Sequence, residues 1–248
     1  MKHGFNHIDD YNKYRPQVGS YNLRFNPHDY LDEARSIYNS PNAKFSGYNN
    51  FNRFNSVSND TTTYLSQYWN KQFNLDYDWN WEYFHSGEPA GLHTDYLSLP
   101  NIWKTNDGVI TQDCFVVLGI IIPLEWNCKQ PYKVNYNRYE SSPRKAVYRK
   151  DEMRYIDNDE VINYRTHGLY DDEVAKYNPK QSQYSRLYQD LKVHSVYEWK
   201  LGTAMIFDTK RWHSSSWFLS DNNFPEVSTE YKRAIIGFAS IDVDRINK

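Results

Sequence analysis

From Tyr77 onward the apolar positions come in short aromatic and β-branched runs broken by Gly, Pro, Asn and Asp, the pattern of an all-β sandwich or barrel. The runs predict strands over 81–85, 92–97, 115–124, 193–199, 204–208 and 233–241, with Gly202 marking a turn between two of them. Before residue 60 the chain is rich in Asn, Tyr and Ser and carries one helical signal. Asn26 is placed to cap, Pro27 to open the first turn, and Asp29, Asp32 and Glu33 follow, which predicts a helix over about 27–40. A second short helix is predicted over 62–73. Residues 129–180 interrupt the strands with a polar, Tyr-rich, charge-rich stretch and read as an insertion or lid. The expected organisation is one domain, with an N-terminal helical and irregular support over 1–76 and a core over 77–248 carrying that insertion. No internal repeat is visible.

Composition narrows the function more than the fold. The 29 Lys and Arg against 31 Asp and Glu leave a net charge of -2, so there is no basic excess to neutralise a phosphate backbone and nucleic acid is not an expected partner. No apolar run approaches the ~20 residues that cross a bilayer, and the opening MKHGFNHIDDYNKY lacks a secretory apolar stretch. The expectation is a soluble, cytoplasmic protein without a membrane partner. Cys114 and Cys128 are too few for a disulfide scaffold or a cysteine-built zinc site and read as buried thiols. The 23 Tyr, 8 Trp and 12 Phe in an otherwise polar chain predict a polar surface around an aromatic core or pocket. No Gly-rich phosphate loop, Gly-x-Ser-x-Gly elbow or Cys-x-x-Cys pair is present.

The chemistry concentrates in Gly91-Leu92-His93-Thr94-Asp95-Tyr96. Residues i and i+2 of a strand point to one face, so His93 and Asp95 can close on one ion. By itself such a pair is more often a hydrogen-bonded surface pair than a metal site. A third ligand is needed, and two histidines with one carboxylate leave positions open for O2 chemistry at iron. The candidate is His213, standing just past the apolar strand that starts at Gly202 and the polar turn Asp208-Thr209-Lys210-Arg211. The remaining histidines, His3, His7, His28, His85, His167 and His194, follow no ligand spacing.

Taken together, in this order, these segments resemble the 2-oxoglutarate-dependent Fe(II) oxygenases, especially the prolyl-hydroxylase-like and phytanoyl-CoA-hydroxylase-like groups. The resemblance runs from about Trp81 to Val243 outside the insertion. It rests on Tyr83, Gly87 and Gly91 leading to His93-Thr94-Asp95, on the strand before His213, and on Arg233 opening the last strand. It implies a mainly β double-stranded β-helix, or jelly roll, with flanking N-terminal helices. It also implies Fe(II) held by His93, Asp95 and His213, with 2-oxoglutarate and O2 as co-substrates. Arg233 would anchor the 2-oxoglutarate carboxylate, with Tyr83 and Ser215 lining its pocket. Arg211 and Lys104 are alternative anchors near the metal segments. The chain departs from the family in the 20-residue interval from His213 to Arg233 and in Ile235, where a hydroxyl residue is common. Succinate and CO2 would be released, and because Asp95 stands where halogenases carry a small residue, hydroxylation is the default outcome. The substrate is expected to be a small molecule or peptide. The rivals are a non-catalytic jelly-roll binding module and a cupin-type metal enzyme without 2-oxoglutarate, although the His-x-His pair usual in cupins is absent.

Overall fold

A computed structural model describes residues 18–40, 52–93, 95, 114–138, 144–149, 152–157, 176–177, 191–209, 211–220 and 229–242. The strands are β1 (Gly19–Asn22), β2 (Asn52–Ser56), β3 (Asp78–Ser86), β4 (Cys114–Trp126), β5 (Tyr132–Arg138), β6 (Arg144–Arg149), β7 (Glu152–Asp157), β8 (Leu191–Glu198), β9 (Thr203–Phe207), β10 (His213–Ser215) and β11 (Lys232–Asp242). A 3-10 turn at Pro27–Tyr30 runs into α1 (Leu31–Asn39), and α2 spans Asn59–Phe73. The major sheet has the order β1-β9-β4-β11-β3-β2, a second sheet the order β10-β5-β8, and β6 with β7 forms a separate hairpin. All pairings are antiparallel. The described fold is mainly β with few helices.

Local chemistry accounts for the helices. The Asn26 side chain accepts from the His28 N–H, as its capping position predicts, and the Ser58 hydroxyl accepts from the Thr61 N–H at the start of α2. Helix α2 therefore begins three residues before the expected 62. It ends at Asn74, whose left-handed backbone (φ 52) is one that asparagine tolerates.

The two central strands are buried on both faces, which is why β4 and β11 read as continuous apolar runs. On one face, Trp81, Tyr83, Leu118, Ile120, Ile122, Ile206 and Ile235 pack with Leu31 and Ala34 of α1 and Leu65 and Trp69 of α2. The opposite face presents Phe84, Ile121, Met205, Phe207, Ile236 and Phe238, joined by Trp199. This inner face meets the second sheet, where the Phe207 ring lies 5.0 Å from the ring of His213. Gly119 permits that contact, since a Cβ there would stand 2.2 Å from the Phe207 ring.

Two expectations need correction. The expected insertion over 129–180 begins too early, because residues 132–138 are β5, the centre of the sheet that carries His213. The expected strand over 92–97 is reduced, within the described residues, to a single bridge from His93 to His213. The short strands β1, β2, β6, β7 and β10 were not anticipated.

Candidate metal centre

His213 opens β10, and the segment bearing His93 is laid beside it. The two residues exchange both backbone hydrogen bonds, each 3.0 Å, while the Asp95 N–H donates to the Thr209 carbonyl and the Ser215 N–H to the Ala90 carbonyl. Ala90, His93 and Asp95 are thereby held by main chain to β10 and the turn before it, which places the side chains of His93, Asp95 and His213 together. One ligand atom from each lies within 4.8 Å of the others, a group able to hold a metal ion. The Asp95 carboxylate is 3.4 Å from His93 Nε2 through Oδ1 and 3.2 Å from His213 Nε2 through Oδ2. Ligands about 2.1 Å from a shared ion, at right angles to one another, stand about 3 Å apart, so the spacing suits a metal.

Protonation makes the fit more specific. His93 Nδ1 is 2.7 Å from the Gly91 carbonyl and His213 Nδ1 is 2.9 Å from the Arg211 carbonyl. Carbonyls only accept, so each Nδ1 carries a proton and each Nε2 is the nitrogen turned toward Asp95. Burial pushes the His213 imidazole down to about 4, and nearby Lys133 pushes in the same direction, so the ring is neutral at neutral pH. Burial works to raise the Asp95 carboxyl, but the adjacent His213 and His93 hold it well below the usual carboxylate range. Two imidazole Nε2 atoms and an ionised carboxylate thus converge, a donor set that a divalent cation satisfies. His213 is buried and His93 is 42% exposed, so the centre is closed on the Phe207 side and open on the other.

The other expected site residues divide between the faces of the major sheet. Ser215 belongs to the metal side, where its hydroxyl accepts from the buried Lys232 ammonium. Arg233 does not. It shares a face with Ile235 and Glu125, donates to Glu125 Oε1 at 2.5 Å and to His85 Nδ1 at 3.1 Å, and stacks on Tyr231 and Tyr38. Its charge is thus neutralised on the helix side of the sheet, away from the triad, because adjacent strand residues alternate faces. Tyr83 points to the same side, packed with the helices and beside Glu33 and Thr61. The expected roles of Arg233 and Tyr83 at 2-oxoglutarate therefore find no support in the geometry. Among the alternative anchors, Arg211 is near His194 on β8, and Lys104 lies outside the described residues.

Sequence reasoning missed two cations on the metal side, Lys133 of β5 and Lys232 of β11, which are 4% and 3% exposed. Alternation in Tyr-Lys-Val-Asn-Tyr sets Lys133 and Asn135 on the face of their register partners Ser215 and His213, and was the signal available.

No family model matches the chain, and no curated protein matches it. Among solved structures, that of the epimerase SnoN in complex with Fe3+, alpha ketoglutarate and nogalamycin RO aligns over 95% of this chain and 83% of its own, at 11% identity and a TM-score of 0.50. Another structure, of the non-heme alpha ketoglutarate dependent epimerase SnoN from nogalamycin biosynthesis, covers 95% and 80% at 10% identity, TM-score 0.46. A 2OG-Fe(II) oxygenase family oxidoreductase from Burkholderia pseudomallei covers 97% and 92% at 9% identity, TM-score 0.42. The likeness to the SnoN complex is one of fold. Among the described residues no helix is long and apolar enough to cross a membrane.

Proposed function

We propose that the chain is a non-haem Fe(II) and 2-oxoglutarate-dependent oxygenase of the jelly-roll class, with His93, Asp95 and His213 as the metal ligands. The observation that carries this reading is the pair of Nε2 atoms aimed at an ionised Asp95, their rings fixed by the Gly91 and Arg211 carbonyls. Three ligands leave exchangeable positions for co-substrate and O2. The fold shared with SnoN, which was captured with Fe3+ and alpha ketoglutarate, supports the same reading. In it, the jelly-roll core takes most of its strands from residues 77–248, while β1 and β2 add the two edge strands of the major sheet.

Fe(II) with 2-oxoglutarate supplies O2-dependent oxidation of a substrate C–H bond, coupled to release of succinate and CO2. The chain's own contribution is positional and electrostatic. Asp95 provides the single negative charge, the two imidazoles offer their Nε2 atoms as ligands, and Phe207 keeps water from the buried side of His213. The exposed edge of His93 is the side from which a small molecule or peptide substrate would approach. Hydroxylation is the proposed outcome, because Asp95 occupies the carboxylate position.

The test is thermal unfolding with Mn(II) or Fe(II), with and without 2-oxoglutarate. We expect a rise in Tm with metal and a further rise when 2-oxoglutarate is added, together with slow succinate release under air with Fe(II). Absence of any metal response would leave the non-catalytic binding module as the better reading.

A further inference from the structure

Beside the triad, two polar atoms are buried without a hydrogen-bond partner among the described residues, Oδ1 of Asn135 and Nη1 of Arg211. Asn135 is the cross-strand partner of His213 and is 2% exposed. Its amide is oriented from the far side, where Nδ2 donates to the Ser195 hydroxyl on β8 at 3.1 Å. That hydroxyl lies 3.2 Å from His194 Nδ1. Strand β8 bulges here, since Ser195 pairs with Asn135 and Val193 with Tyr136, which leaves His194 as the extra residue. Arg211 stands two residues before His213. Trp212, between them, packs on the outer face of the second sheet with Val134 and Tyr136, so alternation turns both Arg211 and His213 to the inner face. The His194 imidazole is lowered by burial and then by the charge of Arg211, which places the guanidinium near it. His213, Asn135 and the β8 bulge thus form a polar row leading away from the metal centre, with Arg211 beside it.

A buried polar atom that has given up water without gaining a partner is destabilising, and more so on a charged group. Among the described residues no carboxylate forms an ion pair with Arg211. An amide oxygen and a guanidinium N–H could satisfy each other, yet these two stand further apart than a hydrogen bond. A ligand that reaches both would supply what each lacks. A guanidinium takes a carboxylate, and an amide oxygen takes an N–H or O–H.

We propose that Arg211 and Asn135 form the substrate subsite of the metal centre, Arg211 pairing with a carboxylate and Asn135 Oδ1 accepting from a hydroxyl or amino group of the same small molecule. The subsite rests on the oxygenase reading above and names its substrate class, a small hydroxy or amino carboxylic acid. Ser195 is a positioning residue, because its hold on Nδ2 keeps Oδ1 free for the ligand.

The experiment follows thermal unfolding of the full chain loaded with Mn(II) and 2-oxoglutarate during titration with lactate, 3-hydroxybutyrate, alanine and serine. The controls are the corresponding amides, which lack the charge, and propionate, which lacks the second donor. We expect at least one of the four acids to raise Tm saturably, its amide to have no effect, and propionate to act roughly tenfold more weakly. Arg211→Met should lose the response to every acid. Asn135→Leu should bind the best acid no better than the parent binds propionate, and Ser195→Ala should lose part of the same preference, so the contact is read even if one variant fails to fold by circular dichroism. No response of the parent to any acid, an equal response in folded Arg211→Met, or an undiminished preference over propionate in the folded Asn135 and Ser195 variants would each overturn the subsite. So would loss of the 2-oxoglutarate response itself in Arg211→Met, which would make Arg211 the co-substrate anchor. Repeating the titrations on the metal-free chain separates the two readings. Stabilisation by Mn(II) and 2-oxoglutarate but by no acid overturns the subsite alone, whereas an Arg211-dependent response to an acid in a chain that ignores Mn(II) and 2-oxoglutarate overturns the oxygenase reading alone.

Discussion

His93 and His213 exchange both of their backbone hydrogen bonds, so the distance between the two imidazoles is set by main chain rather than by side-chain packing. Their ring centres lie 4.4 Å apart, and each ring is turned by a carbonyl two residues before it. A site preorganised in this way should lose its metal, and not its fold, when one ligand is removed. His93→Ala and Asp95→Ala should each weaken Mn(II) binding on the order of 100-fold or more, since outer partners alone are worth 10–100-fold. The melting temperature of the metal-free protein should change by only a few degrees. Titration by electron paramagnetic resonance reads the first quantity and circular dichroism the second; undiminished Mn(II) binding by Asp95→Ala would remove it from the ligand set.

Gly119 offers a test of how the core supports this centre. A Cβ at that position meets the Phe207 ring at 2.2 Å, and Phe207 touches both His213 and Lys133. Gly119→Ala must push the ring aside, at a cost of about 1–3 kcal/mol for overpacking a filled interior. We expect a lower Tm together with weaker Mn(II) affinity, since the displaced ring bears on His213. Loss of stability with unchanged metal affinity would show that the centre tolerates movement of Phe207.

Arg233→Ala should behave as the loss of a structural ion pair. Glu125 would keep Arg35, at 2.6 Å, so its carboxylate is not left alone. A cost of about 1–2 kcal/mol is expected, toward the lower end for a partly buried, hydrogen-bonded charge that retains a second partner. Mn(II) binding should be unaffected. A fall in 2-oxoglutarate affinity with unchanged stability would support the expected role of Arg233 as the anchor.

The triad was legible because period-2 alternation joins His93 to Asp95, and because His213 follows an apolar strand and a polar turn. The inward-facing Lys232 was not, for a reason rooted in the same alternation. Both faces of β11 are buried, so the residues beside Lys232 and those beside Arg233 are equally apolar, and nothing in the pattern says which face meets the triad. Lys133 was hidden differently. In β5 the polar Lys133 and Asn135 face the inner site while Val134 belongs to a separate apolar cluster, so an inward polar face reads as surface. Helix starts were legible through Asn26 and Ser58, whose capping chemistry is local. Strands as short as β10 carry too few residues for any period to show.

Lys232 supplies a pH test. Its ordinary value is 10.5 and burial brings it to about 7 in the folded chain, where it faces Ser215, Cys128 and Lys133. Below about 7 it is protonated whether folded or not, so the penalty for burying the charge is fully present. Between about 7 and 10.5 the unfolded chain binds more protons, so stability should rise with pH by up to ~1.4 kcal/mol per unit for this one group. Lys232→Met should therefore melt higher than the parent near neutral pH and show a flatter rise above it. A Lys232→Met protein less stable than the parent at pH 7, with no anion added, would mean that the lysine is structural.

The charge of Lys133 should also be coupled to the metal centre. Lys133 acts on both Asp95 and His213 through its charge, so it opposes the arrival of a divalent cation. An electrostatic coupling of about 1–2 kcal/mol corresponds to roughly 5- to 30-fold. Lys133→Met removes the opposing charge, so it should bind Mn(II) more tightly than the parent by a factor in that range. Mn(II) titrations of the parent and of Lys133→Met at fixed pH and ionic strength read both affinities. A folded Lys133→Met protein that binds Mn(II) no better than the parent would show that the lysine and the metal centre act independently.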